Sequence, residues 1–92
     1  MVMNVKKLVS GCDTNDQGNV IYKYVASNLR ENKPVSLDFS DVSNVTSSFV
    51  NSSFVQLVDD FGYDTVRTLL ALKSVNSQIG NMLKDRMAQV AA

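Results

Sequence analysis

A chain of 92 residues has room for one domain, residues 1–92, built around one hydrophobic core. Its nine basic and nine acidic side chains cancel, which argues against a nucleic-acid binder that neutralises phosphates and does not favour a membrane surface. The absence of histidine excludes imidazole acid–base catalysis, Ser-His or Cys-His nucleophiles and histidine metal sites. We therefore expect no metal and no other cofactor.

The single cysteine, Cys12, cannot form an internal disulfide, which indicates a reducing compartment. No apolar run is long enough for a signal peptide or a membrane span, so we expect a cytoplasmic protein that does not contact membranes. Cys12 is followed by Asp13, and a neighbouring carboxylate raises the pKa of a thiol. We therefore do not expect Cys12 to act as a nucleophile.

The first predicted elements are a strand within residues 2–9, near a sheet edge, and a helix over about residues 16–31. Between them lies a loop in which Asp13, Thr14 or Asn15 can each cap the helix. Apolar side chains at i, i+3, i+4 and i+8 predict that one face of this helix packs on the core: Ile21, Tyr24, Val25 and Leu29.

A second strand is predicted where Val35, Leu37 and Phe39 alternate with Ser36 and Asp38. This period of two gives the sheet one apolar and one polar face. A parallel sheet that is buried on both faces has near-continuous apolar strands instead. The alternation therefore predicts helices packed mainly on one face of the sheet.

The next helix is predicted to begin at Thr46–Ser48, after the connection Ser40–Val45, and to end at Gly62. Phe49 lies beside its apolar stripe, and we expect this ring to be partly exposed. The stripe itself is regular over three turns and consists of Val50, Phe54, Leu57, Val58 and Phe61.

A third strand is predicted over residues 66–72, and Ser74 or Asn76 is expected to cap a last helix. The stripe of that helix is Val75, Ile79, Met82, Leu83 and Val90, with Met87 on its margin. The predicted order is thus β-α-β-α-β-α. This alternation predicts an α/β fold with a small, mostly parallel sheet and helices mainly on one face.

The hydroxyl cluster Thr46-Ser47-Ser48 at a helix start admits two interpretations. Serine and threonine are preferred N-caps, worth about 1 kcal/mol. Alternatively, a phosphate on a first-turn serine meets free backbone N–H groups and the positive end of the helix dipole. Such a phosphate would add nearly two negative charges to a surface built around neutral hydroxyls, and a kinase would supply the chemistry.

The chain resembles the STAS-like domain family (DUF4325-type) in three stretches: LDFSDV at residues 37–42, TSSF at 46–49 and FG at 61–62. It is more distantly similar to the STAS domains of bacterial anti-sigma-factor antagonists. Those domains carry a similar strand followed by D-S-S-G, whose first serine is phosphorylated by a kinase that is also the anti-sigma factor. The resemblance implies a STAS-like fold that covers most of the chain.

The resemblance also implies roles for individual residues. Ser47 matches the phosphorylated serine of the antagonists, Ser48 its neighbour and Thr46 the acid before it. Phe49 and Asn51 stand where the antagonists carry glycines. Phosphorylation of Ser47 and an unmodified contact surface therefore both stay open. The STAS-like family is reported beside histidine-kinase-like ATPases, which implies a partner of that class.

Our leading hypothesis is a non-enzymatic regulatory module that binds a protein, such as a histidine-kinase-like ATPase, through the start of the second predicted long helix. The expected contact residues are Thr46, Ser47, Ser48, Phe49, Asn51 and Ser52. An uncovered sheet face or edge would also allow a homodimer.

Two alternatives stay open. The chain is short enough to be a stand-alone inhibitor, of the type made by phages or mobile elements, that blocks a larger machine. The other alternative is a small enzyme or ligand-binding domain that uses Asp38 and Ser47. Asp38 and Asp41 can in principle work as paired carboxylates. With no histidine and no metal-ligand spacing, we expect Asp38 instead to cap the turn after its strand.

Overall fold

Three short parallel strands form the centre of the computed structural model, which describes residues 2–91. They are β1 (Val2–Asn4), β2 (Val35–Asp38) and β3 (Leu70–Lys73), and β2 lies in the middle. Both neighbours of β2 run parallel to it. The predicted class, a small α/β fold with a parallel sheet, is therefore confirmed.

Helices make up most of the remaining chain. No helix within residues 2–91 is long and apolar enough to cross a membrane. The helices are α1 (Val5–Leu8), α2 (Asn15–Arg30), α3 (Ser47–Val50), α4 (Gln56–Phe61), α5 (Tyr63–Leu69) and α6 (Ser77–Ala91). The stretch Asn51–Val55, between α3 and α4, is π-helical, and we call it the π segment.

The first strand is shorter than its apolar residues predicted. β1 ends at Asn4, whose side-chain oxygen accepts a hydrogen bond from the Lys6 N–H at 2.9 Å and so caps α1. The chain therefore turns into a helix at Val5, which is fully buried. Local capping by Asn4 overrides the β-branched character of this stretch.

Helix α2 begins at a capping box, and Thr14 is the cap among the three candidates. The Thr14 hydroxyl accepts from the Gln17 N–H at 3.2 Å, and the Gln17 side-chain oxygen accepts from the Thr14 N–H at 3.1 Å. This exchange satisfies two of the free donors at the helix start. Three members of the predicted stripe, Ile21, Val25 and Leu29, are buried.

The prediction of a strand over residues 66–72 is wrong in its first half. Residues Tyr63–Leu69 form α5, and the strand occupies only Leu70–Lys73. Val66 is buried, whereas Leu69 and Leu70 are partly buried, a spacing of i, i+3 and i+4 that suits a helix as well. Gly62 allows the turn between α4 and α5 because its φ is +88°, a conformation that other residues rarely adopt.

Helix α6 is capped by Asn76, one of the two predicted caps. The Asn76 side-chain oxygen accepts from the Ile79 N–H at 2.8 Å. The predicted stripe holds for Ile79 and Leu83, but its last position is wrong: Met87 is buried, whereas Val90 is 38% exposed. The buried residues therefore repeat every four positions, as one face of a helix does.

The register of the sheet separates its side chains into two faces. Met3, Leu37 and Leu72 lie side by side on the core face, where Leu37 is fully buried. Val2, Ser36 and Ala71 are aligned on the opposite face, and Val2 is 49% exposed.

Three aromatic rings fill the centre of the core. Phe39, Phe49 and Phe54 are fully buried, and Phe54 contacts both of the others. Its ring centroid lies 6.3 Å from that of Phe39 and 6.4 Å from that of Phe49, the latter edge-on. Such contacts add to the free energy gained by burying the apolar surface.

Helix α2 approaches the helix start at Ser47 most closely at Gly18. A Cβ atom at this position would lie 2.7 Å from the Phe49 carbonyl oxygen and 2.8 Å from the Ser52 Cβ. Neither distance is compatible with a side chain. Gly18 is therefore required for the packing of α2 against α3 and the π segment.

We expect Gly18→Ala to lower the free energy of unfolding by about 1–3 kcal/mol, because the added methyl group overpacks this contact. Gly80→Ala in α6 is the matched control, since its Cβ would meet only Val75 at 3.6 Å. That change should stabilise by about 0.5–1 kcal/mol through helix propensity. Urea unfolding measures both. Equal effects of the two substitutions would contradict the packing argument.

Candidate functional site

Thr46 fixes the start of α3 against the loop that follows α1. Its hydroxyl accepts a hydrogen bond from the Phe49 N–H at 3.2 Å and donates one to the Asp13 carbonyl oxygen at 2.8 Å. Its own N–H donates to the Cys12 carbonyl oxygen at 3.1 Å. Thr46 is therefore the N-cap that the hydroxyl cluster predicted, and it also joins two loops at the carboxyl ends of β1 and β2.

Ser47 and Ser48 form the first turn of α3, and both are exposed. Neither hydroxyl has a hydrogen-bond partner in the described part of the chain. Their backbone N–H groups are also free there, because the cap on Thr46 serves the N–H of Phe49. The helix start thus presents two free hydroxyls and two free amides to the surroundings.

The prediction that Phe49 is partly exposed is wrong, because its side chain is fully buried. The reason is the π segment, in which residues five apart come into line. Phe49 and Phe54 are separated by five positions, so both rings face the core. The Phe49 side chain therefore does not belong to the surface on which the sequence analysis placed it.

The remaining two predicted contact residues, Asn51 and Ser52, differ in exposure. Asn51 is exposed. Ser52 is half-buried, and its hydroxyl donates to the Asn15 side-chain oxygen at 2.8 Å across the α2 interface. The structure thus brings together Ser47, Ser48 and Asn51, which we call the hydroxyl–amide patch. Because Ser47 and Asn51 are four residues apart, they share one helix face.

Ser53 was missed by the sequence analysis. It is a fully buried polar side chain, and its hydroxyl donates to the Phe49 carbonyl oxygen at 2.7 Å. This bond satisfies a polar group in the π segment, where the regular helical ladder is interrupted. The available signal was its position three residues after Val50, which is on the apolar stripe.

Asp38 caps the turn after β2, as the sequence predicted. One carboxylate oxygen accepts from the Ser40 hydroxyl at 2.6 Å and from the Ser40 N–H at 2.9 Å. These bonds, the hydroxyl one foremost, hold the pKa of Asp38 below its ordinary value. Since the carboxylate serves the turn as an ionised acceptor, it is poorly suited to take up or release a proton near neutral pH.

Asp41 differs from Asp38 in conformation and exposure. Its φ of +67° places it in a left-handed turn, and it is exposed. It lines a small polar hollow of about 170 Å³ together with Lys6 and Asp13. Five hollows among residues 2–91 include neither Asp38 nor Ser47 in their linings. Residues 2–91 also contain no group of three or more Cys, Asp or Glu side chains that could hold a metal ion.

Cys12 is buried, with 2% of its surface exposed. Burial raises the pKa of its thiol to about 11; Lys6 opposes this shift and Asp13 adds a smaller contribution to it. Asp13, the cause expected from the sequence, is thus the smaller one, because removal of the thiolate from water has the larger effect on the pKa. A thiol with this pKa is protonated at neutral pH and is a weak nucleophile.

A family model described as "STAS-like domain of unknown function (DUF4325)" matches residues 17–79. This span runs from the start of α2 to the start of α6 and includes the whole hydroxyl–amide patch. The chain therefore belongs to the STAS-like domain family. No curated protein and no solved structure matches it.

We expect Thr46→Val to lower the free energy of unfolding by about 1–2 kcal/mol, because valine keeps the shape of threonine but loses the cap and the bond to Asp13. Ser47→Ala should change it by less than about 0.5 kcal/mol, because the exposed Ser47 hydroxyl bonds to no described residue of the chain. Thermal unfolding followed by circular dichroism compares the two variants. A larger loss from Ser47→Ala would mean that Ser47, not Thr46, holds the helix start.

Raising the pH should destabilise the protein partly through Cys12. Its pKa is higher in the folded protein than the ordinary 9.0, so the stabilisation is complete below about pH 9 and is lost as the pH approaches 11. Cys12→Val should remove this part of the pH dependence. Tyr22, whose pKa is raised chiefly by its hydrogen bond to Asp60, titrates in both proteins and cancels in the comparison. Identical pH profiles of unfolding from pH 8 to 11 would contradict this role of burial.

Proposed function

We propose that this STAS-like domain is a regulatory module without catalytic activity of its own, which binds a protein partner through the hydroxyl–amide patch. The main support is a difference in hydrogen bonding between neighbouring hydroxyls at the start of α3. The Thr46 hydroxyl makes two hydrogen bonds to the backbone, whereas the adjacent Ser47 and Ser48 have exposed hydroxyls with no partner among residues 2–91. Rigid backbone with free donors and acceptors is what a specific polar contact needs, because little conformational entropy is lost on binding.

The partner class that we propose is a histidine-kinase-like ATPase. Support comes from the family match across residues 17–79, together with the position of Ser47 in the resemblance to anti-sigma-factor antagonists. The free amides of the first turn would favour an anion there. A phosphate on Ser47 would therefore be tolerated by the fold, and it would change the charge of the surface that the partner contacts.

The alternatives differ in how well the contacts support them. A stand-alone inhibitor could use the same patch, and only the identity of the partner separates it from our proposal. An enzyme that uses Asp38 and Ser47 is less well supported. The Asp38 carboxylate already accepts two hydrogen bonds from Ser40, and the five hollows described among residues 2–91 are lined by neither Asp38 nor Ser47.

Affinity capture from the native host, followed by mass spectrometry, tests the proposal. We expect the wild-type chain to recover an ATP-hydrolysing protein, and Asn51→Arg to reduce that recovery at least about tenfold, because a long cation then occupies the patch. Gln89→Arg is the matched control, since Gln89 is also exposed but lies on α6. If neither the wild type nor Ser47→Ala recovers such a protein, the proposed partner class is wrong.

The same captured material is used to measure phosphorylation of Ser47 by mass spectrometry. After incubation with ATP, the peptide that contains Ser47 should gain one phosphate, and Ser47→Ala should abolish this gain. Ser48→Ala is the control, because Ser48 is also exposed in the first turn of α3. Transfer that persists in Ser47→Ala would assign the phosphate to another residue.

A further inference from the structure

The outer edge of β3 carries backbone groups that have no partner in the described part of the chain. The Lys73 carbonyl oxygen accepts the Phe39 N–H at 2.8 Å, so the backbone groups of Lys73 point toward β2. Since these groups alternate along a strand, the N–H and C=O of Leu72 point away from β2. Neither has a partner within residues 2–91. The Leu70 carbonyl oxygen also points away from β2, whereas the Leu70 N–H donates to the Val66 carbonyl oxygen.

An apolar hollow of about 460 Å³ lies beside this edge, between α5, β3 and α6. Leu70, Leu72, Val66 and Met87 supply its apolar lining, and Leu70 and Leu72 remain partly exposed. An unpaired edge beside exposed apolar side chains is a place where another strand adds to a sheet.

The edge is complementary to a second copy of itself. If two β3 strands pair antiparallel with Ala71 opposite Ala71, then Leu72 of each copy faces Leu70 of the other. Each Leu72 N–H can then donate to the opposite Leu70 carbonyl oxygen, and each sheet face continues unchanged across the junction. Alanine, a small residue, lies where the two strands come closest.

The charges around the hollow also suit self-association. Arg67 and Lys84 are cationic and Asp85 is anionic, all three at the rim of the hollow. A rim that carried charges of one sign would repel a second copy, whereas this rim carries both signs. Two hydrogen bonds alone would be a weak link, so the apolar surface of the two joined hollows must supply most of the binding free energy.

We infer that the chain forms a two-fold symmetric dimer in which two β3 edges pair antiparallel, giving one continuous six-stranded sheet. This interface uses none of the residues of the hydroxyl–amide patch. Each dimer therefore presents two copies of the patch. Dimerisation through β3 does not depend on the proposed function of the patch.

Sedimentation and amide hydrogen exchange of the full chain test the dimer. We expect the mass to rise from one chain to two, and no further, over about a hundredfold range of concentration. Over the same range the Leu72 amide should become at least about tenfold more protected, whereas the Lys73 amide, already bonded within the sheet, should change little. A mass that stays at one chain overturns the inference. Growth beyond two copies overturns it too, because it indicates head-to-tail pairing.

Leu72→Lys tests the edge directly. It sets two cations near each other across the two-fold axis and should weaken dimerisation by roughly a hundredfold. Val2→Lys is the matched control: it adds the same charge to the opposite edge strand, β1, at a side chain that is already 49% exposed. A dimer that survives Leu72→Lys, or one whose Leu72 amide stays unprotected in the wild type, would place the interface elsewhere. The hydrogen-exchange measurement needs no variant, so it tests whether β3 forms the dimer interface even if Leu72→Lys does not fold.

Discussion

The contact between α2 and the helix start at Ser47 is the constraint on which the other features depend. Gly18 lets the Phe49 carbonyl oxygen approach the α2 backbone, and the Ser53 hydroxyl donates to that same oxygen. The π segment then turns both Phe49 and Phe54 into the core. The hydroxyl–amide patch is what remains outside once this packing is satisfied. Its shape is thus set by buried atoms, not by the exposed residues themselves.

The two proposed interfaces have different physical characters. The patch at the start of α3 is polar and free of charged side chains, so it suits recognition by directed hydrogen bonds. The β3 edge combines unpaired backbone groups with an apolar hollow, so it suits association through burial of surface. Neither surface involves the core face of β2, where Val35 and Leu37 are buried.

Features governed by local chemistry could be predicted from the sequence, and features governed by packing could not. The caps at Thr14, Thr46 and Asn76 follow from the preference of short polar side chains for helix starts. The leucine-rich run at residues 66–72 fits a helical and a strand period equally, so only tertiary contacts decide where α5 ends. Phe49 was misplaced because the regular helical period does not contain the extra residue of a π turn. Of the predicted site, Ser47, Ser48 and Asn51 remain on the surface.

The two bonds from Thr46 to the Cys12 and Asp13 carbonyls join segments that are at least 33 residues apart in sequence. In an unfolded chain these segments are separated, and closing such a loop costs entropy that only the assembled core repays. The geometry of the patch therefore exists only in the native state. A partner that recognises it distinguishes folded from unfolded copies of the chain, and its binding shifts the folding equilibrium toward the native protein.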